Sequence, residues 1–137
     1  MSASVLQIIE NAMNNWQPPE DIPQGDMPGD KVWIGPQSIE KATVAFRAAL
    51  PMLKEALEAN PAHKAVISVS GGSGVMKTCV SALLTYYLTQ LGVGAYTMSG
   101  DNYPRRIPVQ NDAERMRIFR LGGIRGMLQE GVYNPEN

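Results

Sequence analysis

Residues 66–78 read VISVSGGSGVMKT, and this stretch decides the expected fold. An apolar, β-branched run ends at a glycine-rich turn, and a Lys-Thr pair follows where a helical pattern begins. The order matches the phosphate-binding loop G-x-x-x-x-G-K-[ST], in which backbone N–H groups at a helix N-terminus hold phosphate. Met76 departs from the motif, because the last glycine of the motif belongs at that position. The stretch therefore predicts a nucleotide site and leaves open whether Met76 permits binding.

The segments around the loop predict an α/β fold. Residues 65–70 form a short, nearly continuous apolar run of the kind found in buried parallel strands. Residues 77–91 carry a helical pattern, and residues 94–99 have the pattern of a second strand. A strand, a helix and a strand in this order predict a right-handed βαβ unit. We therefore expect a parallel sheet flanked by helices.

The chain ahead of the loop is expected to form a separate helical segment. Residues 1–62 contain two helical patterns, the second at 38–60, with a proline-rich loop at 17–30 between them. Pro51 is expected to kink the second helix or to start another, because proline removes a backbone donor. The two predicted domains are therefore this N-terminal helical extension and a core at residues 63–137.

Each part of the loop has a predicted chemical role. Glycines let the backbone take the φ values and the close approach that phosphate binding requires. Lys77 would reach the β- and γ-phosphates of ATP, and the Thr78 hydroxyl would bind Mg²⁺. The residues expected to contact the nucleotide are Gly71, Gly72, Ser73, Gly74, Val75, Met76, Lys77, Thr78 and Cys79.

A second group of polar residues follows the second predicted strand, at residues 99–106, which read SGDNYPRR. The C-terminal strand ends of an open parallel sheet face its ligand crevice. Asp101 would orient an acceptor hydroxyl, or take its proton, as that hydroxyl attacks the γ-phosphate. Arg105 and Arg106 would hold an anionic acceptor through paired hydrogen bonds. Lys77 and Asp101 are therefore the predicted catalytic residues.

These residues resemble small P-loop kinases over about residues 64–106. The loop, the helix end YYLTQLG at 86–92 and the SGDN motif are similar to kinases of the adenylylsulfate kinase type. The Asp-x-Tyr-x-Arg portion is similar to the uridine kinase and phosphoribulokinase group. The resemblance implies a P-loop NTPase-type fold, in which Lys77 and Thr78 serve the nucleotide and metal and Asp101 serves the acceptor. By the same resemblance, the candidates for contacts with the acceptor are Asn102, Tyr103, Arg105 and Arg106.

Kinases of this type have a larger parallel sheet and a later arginine-bearing lid, and this chain ends too early to contain either. The predicted fold is therefore incomplete. We expect that the chain is the N-terminal portion of a longer kinase-like protein, or that a second chain completes the sheet.

The composition excludes several other classes of protein. A formal net charge of −1 gives no general attraction to nucleic acid or to anionic membranes. Cys79 is the only cysteine, which excludes an internal disulfide and a cysteine-based zinc site. The sequence shows neither a signal-peptide pattern nor an apolar run long enough to span a membrane. A cytoplasmic location is therefore expected.

Two functions remain open from the sequence alone. The first is an ATP-dependent phosphotransferase that moves the γ-phosphate to a hydroxyl of a small, anionic acceptor. The alternative is a non-catalytic nucleotide- or phosphate-binding module, in which a degenerate or truncated loop binds without transfer.

Overall fold

A computed structural model describes residues 3–25, 27–28, 32–72, 74–100 and 108–129. Within these ranges the chain forms the helices α1 (Val5–Asn15), α2 (Pro36–Ala59), α3 (Lys77–Gln90) and α4 (Pro108–Gln129). None of these helices is both long and apolar enough to cross a membrane.

The predicted parallel sheet of the P-loop NTPase type is wrong. The described residues contain no β-strand, and both 65–70 and 94–99 lack regular secondary structure. Several apolar side chains in these segments are exposed to solvent, 92% for Val66 and 80% for Tyr96, whereas Val69 and Ala95 pack against the core. A preference for strands is expressed only where a residue packs on neighbouring strands and its backbone groups are paired. The described residues provide no neighbouring strand, so only the helix of the predicted βαβ unit forms.

Local signals determine how α1 begins. The Ser4 Oγ accepts a hydrogen bond from the Gln7 backbone N–H at 3.3 Å, and Gln7 Oε1 accepts one from the Ser4 N–H at 2.9 Å. This capping box satisfies two donors that would otherwise lack partners. Ile9 and Ala12 lie on the buried face of the helix.

The helix α2 covers nearly the predicted range and begins two residues earlier. Gly35 is its N-cap and Pro36 lies in its first turn, where the missing N–H of proline costs nothing. The helix continues through Pro51, so no second helix starts there. Leu50 and Leu53 are buried on either side of this proline. Their burial in the core holds the helix together across one lost backbone hydrogen bond.

Three aromatic rings join α1, α2 and α3. The ring centroids of Trp16 and Phe46 lie 4.6 Å apart, and those of Trp16 and Tyr87 lie 5.0 Å apart. Phe46 and Tyr87 meet edge to face at 5.4 Å. The Tyr87 hydroxyl also lies 3.3 Å from Thr43 Oγ1 on α2. Burial raises the pKa of Tyr87, and the hydrogen bond with Thr43 opposes this rise.

The chain divides into two compact units, residues 1–97 and residues 98–137. The first unit contains α1, α2, α3 and the glycine-rich loop. The second contains α4, whose helical geometry is interrupted at Gly123, with φ 57° and ψ −154°.

Candidate phosphate-binding site

The glycine-rich loop turns tightly before α3. Gly71 has a φ of 156°, and a Cβ atom added there would lie 3.0 Å from Cγ2 of Val75. The same Cβ would meet the aliphatic stem of Lys77, at 3.7 Å from Cδ. Glycine therefore leaves the space into which the rest of the loop folds back.

The end of the loop alternates in backbone conformation. Gly74 and Met76 have positive φ values of 80° and 69°, whereas Val75 between them does not. Successive residues that alternate between right- and left-handed conformations direct their N–H groups towards one side, and this forms an anion-binding concavity. The positive φ values of Gly74 and Met76 supply the left-handed part of this pattern.

The N-terminus of α3 adds donors to this concavity. Met76 is the N-cap, and no side chain caps the helix. The Val80 N–H bonds to the Met76 carbonyl oxygen at 2.9 Å, which closes the first helical turn. The N–H groups of Lys77, Thr78 and Cys79 precede this bond and have no acceptor within the helix. Together with the positive end of the helix dipole, they favour an anion.

The side chain of Lys77 bends back over the same loop. Its Nζ donates a hydrogen bond to the Gly72 carbonyl oxygen at 2.7 Å. An ammonium group and a row of backbone donors therefore lie on one short segment. A phosphate oxygen can replace the carbonyl as the acceptor, because a hydrogen bond between two charged groups is stronger than one to a neutral oxygen.

Met76 directs its side chain towards α2. The buried Ser38 donates a hydrogen bond from Oγ to the Met76 sulfur at 3.6 Å. A left-handed φ costs a non-glycine residue about 1 kcal/mol, and the contact with Ser38 offsets part of this cost. The thioether sulfur of Met76 therefore contacts α2.

A second contact joins the first turn of α3 to the chain ahead of α2. Cys79 Sγ donates a hydrogen bond to the Trp33 carbonyl oxygen at 3.4 Å. Cys79 is half-buried and packs against the hydrophobic core, as expected for a small apolar side chain. No sequence pattern predicts the contacts made by Trp33 and Ser38, because both are tertiary contacts between residues far apart in the chain.

Part of the predicted site lies outside the described residues. The residues outside are Ser73 of the loop and those predicted to serve the acceptor, which are Asp101, Asn102, Tyr103, Arg105 and Arg106. The remaining predicted residues lie together on the loop and the first turn of α3: Gly71, Gly72, Gly74, Val75, Met76, Lys77, Thr78 and Cys79. Across the described part of the chain, no group of three His, Cys, Asp or Glu side chains could hold a metal ion.

The chain is similar to part of a much longer protein, the bifunctional alpha-galactosidase/sucrose kinase AgaSK of Mediterraneibacter gnavus. The two sequences are 39% identical over 93 residues. The match covers 61% of this chain and 10% of the relative, so the chain matches only a small part of that protein. No protein-family model matches the chain, and no solved structure matches it. The similarity supports a kinase-related region and gives no link to adenylylsulfate kinases.

Proposed function

We propose that this chain carries the ATP phosphate-binding part of a kinase that transfers a phosphoryl group to a hydroxyl. One observation carries the proposal: the Lys77 ammonium lies 2.7 Å from the Gly72 carbonyl oxygen, beside the uncapped N-terminus of α3. The word kinase in the name of the 39% identical relative supports it independently.

The loop would bind the triphosphate of ATP mainly through its backbone. The N–H groups at Gly74, Val75 and Met76 would surround one phosphate, and those at the start of α3 would extend the same surface. Lys77 would exchange its contact with the Gly72 carbonyl for the β- and γ-phosphate oxygens. This exchange keeps the ammonium paired in both states, so the free site contains no unpaired buried charge.

The transfer step forms one bond and breaks another. The acceptor oxygen would attack the γ-phosphorus, and the bond from that phosphorus to the oxygen bridging to the β-phosphate would break, so that ADP leaves. The hydroxyl proton would pass to a carboxylate, for which the sequence offers Asp101. Lys77 would stabilise the negative charge that develops on the transferred group and on ADP.

Mg²⁺ would enter with the nucleotide. This ion prefers oxygen ligands and keeps several of its waters, so a phosphate-bound ion needs few ligands from the protein. Thr78, half-buried in the first turn of α3, supplies a hydroxyl oxygen of the required type. When bound, the ion would neutralise part of the phosphate charge.

The acceptor that we propose is a sugar hydroxyl. The relative is named as a sucrose kinase, and sucrose is an uncharged sugar. This favours a neutral acceptor over the anionic one that two adjacent arginines suggest from sequence. Asn102, Tyr103, Arg105 and Arg106 then serve as hydrogen-bond donors and acceptors to hydroxyl groups.

A phosphoryl-transfer assay tests the proposal. The chain is incubated with ATP, Mg²⁺ and sucrose, and phosphorylated sugar is detected by mass spectrometry. We expect sugar phosphate to accumulate, and we expect Asp101→Asn to slow transfer roughly 100-fold while the affinity for ATP stays unchanged. Binding of ATP without transfer to sucrose or to other sugars would instead identify a non-catalytic nucleotide-binding module.

A further inference from the structure

Trp33 is exposed, whereas its neighbours Val32 and Ile34 pack into the core. Its side chain is 76% exposed, although the next residue, Ile34, is fully buried. The other tryptophan of the chain, Trp16, lies in the core. Indole is the largest apolar side chain, and its burial on contact with a ligand is correspondingly favourable. The exposed indole of Trp33 is therefore available to stack against an aromatic group of a ligand.

Two hydrogen bonds link Trp33 and the first turn of α2 to the start of α3. The Trp33 carbonyl oxygen accepts from Cys79 Sγ at 3.4 Å, and Ser38 Oγ donates to Met76 Sδ at 3.6 Å. Met76 and Cys79 flank Lys77 on either side in the sequence. The backbone of Trp33 is thus fixed beside the same helical turn that carries the candidate phosphate site.

We propose that the indole of Trp33 stacks against the base of a nucleotide whose phosphates bind at the loop. This inference rests on the proposed function, because it needs the phosphates of the ligand to lie at Lys77. The loop and the first turn offer N–H groups and an ammonium, which recognise phosphate. The exposed apolar side chain of Val75 is aliphatic, so the described part of the loop has no aromatic ring on which a base could stack. Trp33 supplies an aromatic surface, and stacking tolerates different bases because every base has a π face.

Binding measurements with two ligands separate the base from the phosphates. ATP and inorganic tripolyphosphate are each titrated by calorimetry into the wild-type chain and the variants Trp33→Ala, Trp33→Phe and Lys77→Ala. Met52→Ala is the matched control, because Met52 is a similarly exposed apolar side chain at 72%, on α2. Far-ultraviolet circular dichroism and the fluorescence of buried Trp16 verify that each variant is folded.

We expect Trp33→Ala to weaken ATP binding by at least about fivefold and to leave tripolyphosphate binding unchanged. Trp33→Phe should retain most of the affinity for ATP, and Met52→Ala should match the wild type. ATP, but not tripolyphosphate, should also quench the tryptophan fluorescence of the wild-type chain, and Trp33→Phe should abolish this quenching.

Other outcomes overturn the inference and distinguish it from the proposed function. If Lys77→Ala weakens both ligands while Trp33→Ala weakens neither, the phosphate site stands and the stacking is wrong. If Trp33→Ala weakens both ligands equally, Trp33 acts on the loop and does not contact a base. If the wild-type chain binds neither ligand, the proposed function fails and the stacking fails with it.

Discussion

Gly74 and Met76 both adopt the left-handed backbone conformation, and only one of them is glycine. At Met76 the sulfur accepts a hydrogen bond from Ser38, so a side chain there has a partner on α2. This contact explains how methionine occupies a position that the motif reserves for glycine, at a conformational cost of about 1 kcal/mol. Gly74 has no such compensation, because a Cβ atom added there would meet nothing within 4 Å.

Gly72 and Gly74 form a matched pair for testing the loop conformation. An added Cβ meets nothing within 4 Å at either residue, and only Gly74 has a positive φ, of 80°. Gly74→Ala should lower the affinity for tripolyphosphate about fivefold, since holding an L residue in this conformation costs about 1 kcal/mol. Gly72→Ala should stay within about twofold of the wild type. Calorimetric titration measures both, and equal losses would show that the positive φ of Gly74 plays no part in binding.

At the scale of the elements, α1, α2 and α3 could be predicted and the strands could not. The helix α3 follows from its apolar spacing, and Leu83, Leu84 and Leu88 are buried as that spacing predicts. A helix forms its backbone hydrogen bonds within its own segment, so a local pattern suffices to predict it. A strand needs the N–H and C=O groups of another segment. The β-branched run at 65–70 therefore predicts a strand only if a neighbour is present.

Tyr87 gives the contact between α2 and α3 a dependence on pH. Burial raises its pKa above the ordinary value of 10.0. Because the folded pKa exceeds the unfolded one, this contribution to the free energy of unfolding is complete below about pH 10 and declines as pH rises through the folded pKa. Tyr87→Phe should remove this decline, and loss of the hydrogen bond with Thr43 should lower stability at neutral pH by about 1 kcal/mol.

Urea unfolding at about pH 8 and about pH 11, followed by circular dichroism, measures both effects of the Tyr87→Phe substitution. Tyr86→Phe is the control, because Tyr86 is adjacent in sequence but only half-buried. The control variant should keep the alkaline decline in stability. An equal decline in Tyr87→Phe and the wild type would show that another group is responsible.

At the scale of the whole molecule, the sequence predicts the parts of the site that are contiguous along the chain. The spacing of glycines, Lys77 and Thr78 predicts a phosphate loop from one short segment, and binding of phosphate there stays a prediction. The contributions of Ser38 and Trp33 depend on how α2 packs against α3, and no sequence pattern encodes that packing. The role of Asp101 stays a prediction, since this residue lies outside the described part of the chain.

The match covers 10% of the relative, so the complete transfer reaction is a proposal for this chain. Binding of nucleotide phosphates is a narrower claim, because every group that it needs lies between Gly71 and Cys79. The central claim is therefore best tested by binding.

Titration of ATP with Mg²⁺ into the wild-type chain, Lys77→Ala and Lys64→Ala is the most direct measurement. Lys64 is an exposed lysine in the same unit as Lys77. Both variants therefore lose one positive charge, and they differ in the position of that charge. We expect Lys77→Ala to weaken ATP binding at least about tenfold, as for the loss of a charged hydrogen bond, and Lys64→Ala to stay within about twofold of the wild type. Equal affinities for the two variants, or no binding by the wild-type chain, would contradict a phosphate site at this loop.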